Sequence, residues 1–171
     1  NMENMPKIAV VILNYNGAND TLECLSSLRE TNYNNLEVIV VDNSSRDDSL
    51  ERIQKETDQK IHLLPQEKNL GFTGGNNKGI EYALNLGADY VLVLNNDTIV
   101  DPNVITEFLR AVEENKDAGI ITGAIYYYDD PNILWFGGKT RVRWHKMDKA
   151  ISSELFGKPL PEGEVIQEIN F

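Results

Sequence analysis

The sequence predicts an α/β fold built on a mostly parallel sheet with helices on both faces, and three observations predict it. Apolar runs of strand length alternate with stretches of helical periodicity from residue 8 onward. These runs are nearly continuous in apolar residues, as strands buried on both faces require. Three of them stop abruptly at polar clusters: Asn14-Tyr15-Asn16, Asp42-Asn43-Ser44-Ser45 and Asn95-Asn96-Asp97. At the carboxyl ends of parallel strands those clusters share one edge, where ligands of such folds bind.

Each element follows in order. Ile8 to Leu13 reads as the first strand, and Leu22, Leu25 and Leu28 then mark a helix from Asp20 to Glu30, capped by Asn19 or Asp20. Leu36 to Val41 is the second strand, with a helix opened by Asp47 or Asp48 and running to about Thr57. Ile61 to Leu64 is a short third strand. A glycine-rich loop from Asn69 to Asn77 leads to a helix through Ile80, Ala83, Leu84 and Leu86, which Gly87 stops. Tyr90 to Leu94 is the next strand, and a helix from Pro102 to about Asn115 turns Val104, Ile105, Phe108, Leu109 and Val112 inward.

Gly119 to Ile125 reads as a further buried run, after which the alternation fails. Tyr126 to Pro131 is an excursion, Trp135 to Lys146 a hairpin or lid, residues 148 to 164 a loop, and Val165 to Phe171 strand-like. The expected division is a tail over residues 1–7, a disordered or adventitious start, then a core over 8–125. Residues 126–171 are expected to begin a second, incomplete region.

A chain of 171 residues, 41% hydrophobic, suffices for one domain with a core. Its formal charge of -11 disfavours nucleic acid as a partner, and any anionic ligand needs a local offset such as a cation or backbone amides. One cysteine, Cys24, excludes a disulfide framework and fits a reducing, cytoplasmic setting. No apolar run reaches the roughly 18 residues of a membrane span, and the expected setting is the cytoplasm, with peripheral association at the cytoplasmic face of the membrane compatible with it.

The polar clusters each carry a plain and a functional reading. Asp42 is either a turn or cap residue or a carboxylate that accepts a planar N–H from a nucleobase. Asn14 and Asn16 are turn formers unless they share a ligand edge with it. Gly71 to Asn77 matches neither the phosphate loop nor the dinucleotide fingerprint, leaving a permissive loop or a close backbone approach to a ligand. Asn95-Asn96-Asp97 is an ordinary strand-end turn or a set of oxygen ligands for a hard divalent cation. His62 and His145 have no partner at ligand spacing and read as solvated or packed. Tyr126 to Tyr128 with Trp135-Phe136 read as core or lid packing, with a sugar platform the alternative.

Taken in order, Val10 to Asn16, Val40 to Ser45, Asn69 to Phe72, Gly74-Gly75-Asn76 and Leu94 to Asp97 resemble the motifs of family 2 inverting glycosyltransferases. The rhamnosyltransferase-like members are the nearest in pattern, and the match runs over roughly residues 8 to 125. The resemblance implies the GT-A fold, a mostly parallel Rossmann-like sheet. It also implies a hexosyltransferase that moves a sugar from a nucleoside diphosphate sugar to a saccharide, lipid-linked or other hydroxyl acceptor, in polysaccharide assembly. Asp42 would contact the base, with Asn14, Tyr15, Asn16 and Ser44 around the nucleoside. Asn69, Gly71, Gly74, Gly75, Asn76, Asn95 and Asn96 would line the donor site, and Asp97 would hold Mg or Mn on the diphosphate.

This sequence has Asn95 where the family's Asp-x-Asp motif has its first acid. The resemblance implies that the general base lies in the family's second half, beyond residue 171; among Asp129, Asp130, Asp148 and Glu164 no spacing recommends one. A binding module without turnover is the competing reading. A sugar nucleotidyltransferase would need a basic, glycine-rich first loop, which Asn14 to Gly17 lacks.

Overall fold

The computed structural model describes residues 5–137, and by backbone alone 139–144 and 147–152. The chain divides into two compact units, with the boundary after Glu107.

The first unit carries β1 (Ile8–Asn14), α1 (Ala18–Arg29), β2 (Leu36–Asp42), α2 (Ser49–Gln54), β3 (Ile61–Pro65), α3 (Gly71–Asn85) and β4 (Tyr90–Asn95). All four strands are parallel in the order β3-β2-β1-β4, so the two most apolar strands lie in the middle. Val10 to Ile12 and Ile39 to Val41 are wholly sealed from solvent, which explains their unbroken apolar sequence. The register sets Asn14 beside Asp42 and Leu13 beside Asn95. Three strand ends thus finish level, and the polar clusters meet along one edge.

Side chains alternate between the two faces. Ala9, Val11, Ile39 and Val41 pack with Ala83 of α3 on one face. A Cβ at Gly75 would overlap Leu13, and one at Gly79 would overlap Val11. The glycines therefore let α3 lie against the sheet at backbone distance. This corrects the expected loop at 69–77, because α3 begins at Gly71 and the glycines occupy its first turns. Gly71 itself has φ of +71°, a conformation that only glycine adopts without strain. On the opposite face α1 buries Ala18, Thr21, Cys24, Leu25 and Leu28.

Other expectations shift at their boundaries. Helix α1 starts at Ala18 with Gly17 as its cap, in place of Asn19 or Asp20. Asn19 instead accepts a hydrogen bond from Arg52 Nη2 at 2.7 Å. Asp48 occupies the N-cap position of α2 without a side-chain cap bond, Asp47 Oδ1 accepts from Ser49 N at 3.0 Å, and the helix ends at Gln54, short of Thr57. The expected tail over residues 1–7 is not a tail at its inner end. Met5 and Pro6 carbonyls accept from Asn35 Nδ2 (2.8 Å) and Tyr33 Oη (2.6 Å), and Lys7 N donates to Asp89 Oδ2 at 2.7 Å. Residues 1–4 lie outside the described residues.

Helix α4 (Val104–Glu114) begins two residues after Pro102 and buries Ile105 fully, while Val104, Phe108, Leu109 and Val112 are half-buried. The second unit has two antiparallel pairs, β5 (Ile125–Tyr126) with β6 (Leu134–Phe136) and β7 (Lys139–Trp144) with β8 (Met147–Ser152). The latter pair gives backbone form to the expected hairpin and replaces the start of the expected loop at 148. The expected buried run at 119–125 is absent: apart from Ile125 it is irregular, and Ile120 is 75% exposed. The strand-like run at 165–171 lies outside the described residues.

Candidate functional site

A continuous set of hydrogen bonds crosses the carboxyl edge from β2 to β4. Asn14 is wholly buried, and its Nδ2 donates to Asp42 Oδ1 (2.8 Å) and Ser45 Oγ (3.1 Å). Its Oδ1 accepts from Thr21 Oγ1 at 2.9 Å, and Thr21 Oγ1 in turn accepts from Asn96 Nδ2 at 3.1 Å. Ser45 donates twice to Asp42, from Oγ to Oδ1 (2.6 Å) and from N to Oδ2 (3.0 Å). Asp42 is only 2% exposed. Enclosing a carboxylate is costly unless it is hydrogen-bonded, and this one accepts three hydrogen bonds. A carboxylate offers about four lone-pair directions, so Oδ2, with one donor, retains capacity that Oδ1 has used.

The backbone of this edge is bent to fit. Asn16 and Ser44 both have positive φ, 53° and 64°, and Asn16 Oδ1 accepts from Arg46 N at 2.8 Å. Asn is among the residues that tolerate that conformation. Tyr15 stands between Asn14 and Asn16 with its ring 43% exposed. On the other flank Asn43 Nδ2 donates to Asn69 Oδ1 (3.0 Å) and to Gly71 O (3.2 Å), while its Oδ1 accepts from Leu70 N (2.8 Å). Asn43 thereby ties the end of β2 to the start of α3.

The third cluster is different in kind. Asn96 is turned inward to Thr21, whereas Asp97 and Asn95 are exposed and their side chains make no hydrogen bond among the described residues. No group of three His, Cys, Asp or Glu among the described residues stands ready to cage a metal. One free carboxylate with a neighbouring amide fits a cation whose remaining ligands come from a bound anion and water. It does not fit a cation held by protein alone. Asp97 also acts at a distance on Cys24, whose thiol is pushed up to about 12 by burial first and by that negative charge second.

The structure separates the expected site residues by role. Asn14 and Asn96 orient others, and Gly75 is a packing position against Leu13. A Cβ at Gly74 would crowd Leu70 Cβ. Asn76 is 5% exposed, donates from Nδ2 to Phe72 O at 3.0 Å, and keeps a sealed Oδ1 with no partner among the described residues. Asp42, Tyr15, Ser44, Asn69, Asn95 and Asp97 remain on the edge.

Three organising residues, Thr21, Asn43 and Ser45, were not anticipated from the sequence. The Asp-x-x-Ser spacing of Asp42 and Ser45 was the signal for one of them, since it is a common side-chain to backbone turn. Among the histidines, His62 is packed, as expected, but has partners: Nε2 lies 2.8 Å from Glu37 Oε2 and Nδ1 3.4 Å from Tyr82 Oη. His145 lies outside the described residues, as do the side chain of Asp148 and all of Glu164. In the second unit Trp135 and Phe136 are ring neighbours with centroids 6.3 Å apart, and Trp135 is partly exposed.

Comparison with known proteins gives this edge a context. A family model described as Glycosyl transferase family 2 matches residues 9–160. The chain is 33% identical over 125 residues to Glycosyltransferase GlyG of Streptococcus pneumoniae serotype 4, covering 72% of this chain and 40% of that protein. It is 34% identical over 119 residues to the low-salt glycan biosynthesis hexosyltransferase Agl10 of Haloferax volcanii, covering 69% and 36%. The chain thus spans well under half the length of these relatives.

Among solved structures, the mannosyltransferase PcManGT of Pyrobaculum calidifontis, in complex with GDP-Man and Mn2+, superposes with a TM-score of 0.58 at 21% identity, over 72% of this chain and 36% of that one. S. aureus TarS 1–349 in complex with UDP-GlcNAc gives 0.55 at 23% identity, over 64% and 32%. At such identities the likeness concerns the fold, which is the GT-A arrangement of a parallel sheet flanked by helices.

Proposed function

The chain belongs to glycosyl transferase family 2, and on that premise we propose that its carboxyl edge holds the nucleoside diphosphate of a sugar donor. The whole protein would transfer that sugar, with inversion, to a hydroxyl of a saccharide or lipid-linked acceptor. One observation carries the reading: a hydrogen-bonded lattice of buried Asn14, Asp42 and Thr21 with half-buried Ser45 and Asn96 ends beside an exposed carboxylate, Asp97, that has no partner among the described residues. Preorganised polar groups beside an open ligand position are what a binding edge requires.

Asp42 Oδ2 has spare acceptor capacity for the N–H of a base, and Tyr15 offers a ring face to the nucleoside. Ser44, Asn69 and Gly71 border it. Asp97, with Asn95 beside it, would hold Mg or Mn. A divalent cation held there would supply charge neutralisation for the leaving diphosphate. In the transfer the acceptor oxygen bonds to the anomeric carbon as the carbon–oxygen bond to the diphosphate breaks. The electron pair leaves with the diphosphate, and the hydroxyl proton passes to a general base that none of the described carboxylates is assigned to be.

Calorimetric titration of this chain with UDP, GDP and dTDP, each with Mn and with chelator, tests the donor site. Binding of one nucleotide, strengthened by Mn and weakened in Asp42→Ala and Asp97→Ala, is the expected result. Mn-dependent binding that survives Asp97→Ala unchanged would reject the role of Asp97, and no binding of any nucleotide would reject the donor site in this chain.

A further inference from the structure

The pair β5–β6 has a sealed face and an open one. Tyr126 and Leu134 are register partners, and Leu134 is 1% exposed. Alternation turns Ile125 and Tyr127 to the other face, where they are 39% and 42% exposed. Trp135 joins them at 44%. The register passes from Tyr126 with Leu134 directly to Ile125 with Phe136, so Trp135 is the extra residue of a bulge and has no partner across the ladder. A bulge re-aims a side chain, and bulges gather next to active sites for that reason.

These rings are not core, and the polar groups they carry are unused. Neither the Tyr127 hydroxyl nor Trp135 Nε1 has a hydrogen-bond partner among the described residues. The Trp135 ring is steadied by Phe136, with centroids 6.3 Å apart at 48°. In the turn between the strands, Asp130 Oδ1 accepts from Asn132 N (3.2 Å) and Nδ2 (3.3 Å), which fixes the turn. Asp129 beside it is exposed, with no partner among the described residues.

Size and chemistry choose the occupant of this face. Three side chains, each about two-fifths exposed, offer on the order of 250 Å², against roughly 800 Å² per partner in a stable protein interface. An acyl chain would seal the phenol, the indole N–H and the carboxylate without partners, which is costly. A pyranose suits both halves of the face. Its C–H side lies on the electron-rich face of a ring, and its hydroxyls donate and accept where Tyr127, Trp135 and Asp129 have capacity.

We propose that the open face of β5–β6, with Tyr127 and the bulged Trp135 as stacking rings and Asp129 at the rim, binds a saccharide, the acceptor of the transfer. That the saccharide is the acceptor rests on the proposed function; its binding depends on this hairpin alone.

Saturation-transfer NMR of maltotriose, cellotriose and chitotriose, each at millimolar concentration with this chain and no nucleotide, tests the face. Transfer to the C–H protons of at least one of them is expected. Fluorine NMR of the fluorotryptophan-labelled chain should show the Trp135 signal moving with that sugar, with Trp144→Phe identifying which signal it is. Trp135→Ala and Tyr127→Ala should each weaken the sugar by about fivefold to tenfold, and Trp135→Phe should recover most of the loss because it keeps a ring. Nucleotide titration should not distinguish these variants from wild type.

No transfer to any of the three sugars, or transfer that both Ala variants leave unchanged, overturns the proposal and leaves the donor site standing. A Trp135 signal that moves with protein concentration or with phosphocholine micelles, and not with sugar, overturns it too and makes a second copy or a lipid the occupant. Sugar binding by a chain that binds no nucleotide supports the face and rejects the donor site.

Discussion

The two ends of the parallel sheet each carry a polar network, and they differ in what is left over. At the amino end, Glu37 of β2, His62 of β3 and Tyr82 of α3 form a short ladder, with His62 and Tyr82 ring centroids 5.5 Å apart at 56°. Each ring nitrogen of His62 faces a protein partner, so the ladder closes on itself. At the carboxyl end the inner part, buried Asn14, Asp42 and Thr21 with half-buried Ser45, is as well bonded, but it borders Asp97, Asn95, Arg46 and Lys68, whose exposed side chains have no partner among the described residues. A network satisfied on every side braces the fold. One satisfied inward and open outward is built for something that arrives.

The comparison is broken most severely at Asn14. Asn14→Ala strands Asp42 and Thr21 inside the protein without their shared partner, and losses of this kind run to about 3 kcal/mol. Urea unfolding should show a lowered midpoint with an unchanged slope, and nucleotide affinity should fall with it. A variant as stable as wild type would mean that water replaces the amide, and the edge would not be a preorganised lattice.

Asp97→Asn should do the reverse. The side chain is exposed and unpartnered, so thermal stability should stay within about 0.5 kcal/mol of wild type. The gain in nucleotide affinity on adding Mn should shrink by about tenfold or more, because the cation would lose its anionic protein ligand. Titration with and without chelator measures that gain directly. A stability loss without a binding change would place Asp97 in the bracing class, with His62.

His62→Ala sharpens the contrast from the other end. Its bonds to Glu37 and Tyr82 are about a quarter exposed, so their removal should cost about 1 kcal/mol. Tyr82→Phe should cost less, since the Tyr82 bond is the longer one. Nucleotide titration should not distinguish either variant from wild type. Any nucleotide effect from the amino end would show that the two networks are coupled through the sheet.

What the sequence revealed follows the same division. Strands β1 to β4 and the helices between them are legible because apolar periodicity reports burial, and β1 and β2 bury what the pattern marks; β4 reads as a buried strand too, but it lies at the sheet's edge with Tyr90 and Val93 exposed. Periodicity says nothing of a partner, and so 119–125 reads as a buried strand yet is mostly irregular and exposed. Glycine weakens a helix by propensity, at about 1 kcal/mol per residue, which hides the start of α3. The missed signal is Gly75, Gly79 and Ala83, four residues apart: a small-residue stripe that tertiary contact with Leu13 and Val11 repays. At the edge, Asp42 and Asp97 stood out as carboxylates after apolar runs. Ser45 and Asn43 did not, because their work is to bond neighbours whose positions only the fold defines.

Cys24 gives the smallest test and the one that joins core to edge. Its Sγ lies 3.9 Å from Asn95 O, and burial, then the charge of Asp97, pushes the thiol up from 9.0 to about 12. In the unfolded chain the thiol loses its proton as pH rises through about 9, while in the folded chain it keeps it until about 12. Between those values the unfolded state binds fewer protons, so stability must fall with rising pH, and below about 9 this group adds no slope. Denaturant titrations between pH 8 and 10 in chelator should show that decline, and Cys24→Ala should flatten it. Asp97→Asn should leave most of that decline in place, since burial, the larger cause, still keeps the folded thiol protonated across this window. In the native protein a thiol reagent at pH 8 should react only at the rate of unfolding, because the sulfur is buried and un-ionised. Reaction faster than unfolding would mean that α1 opens locally beneath the strand end, and the edge would then be mobile where the lattice requires it to be fixed.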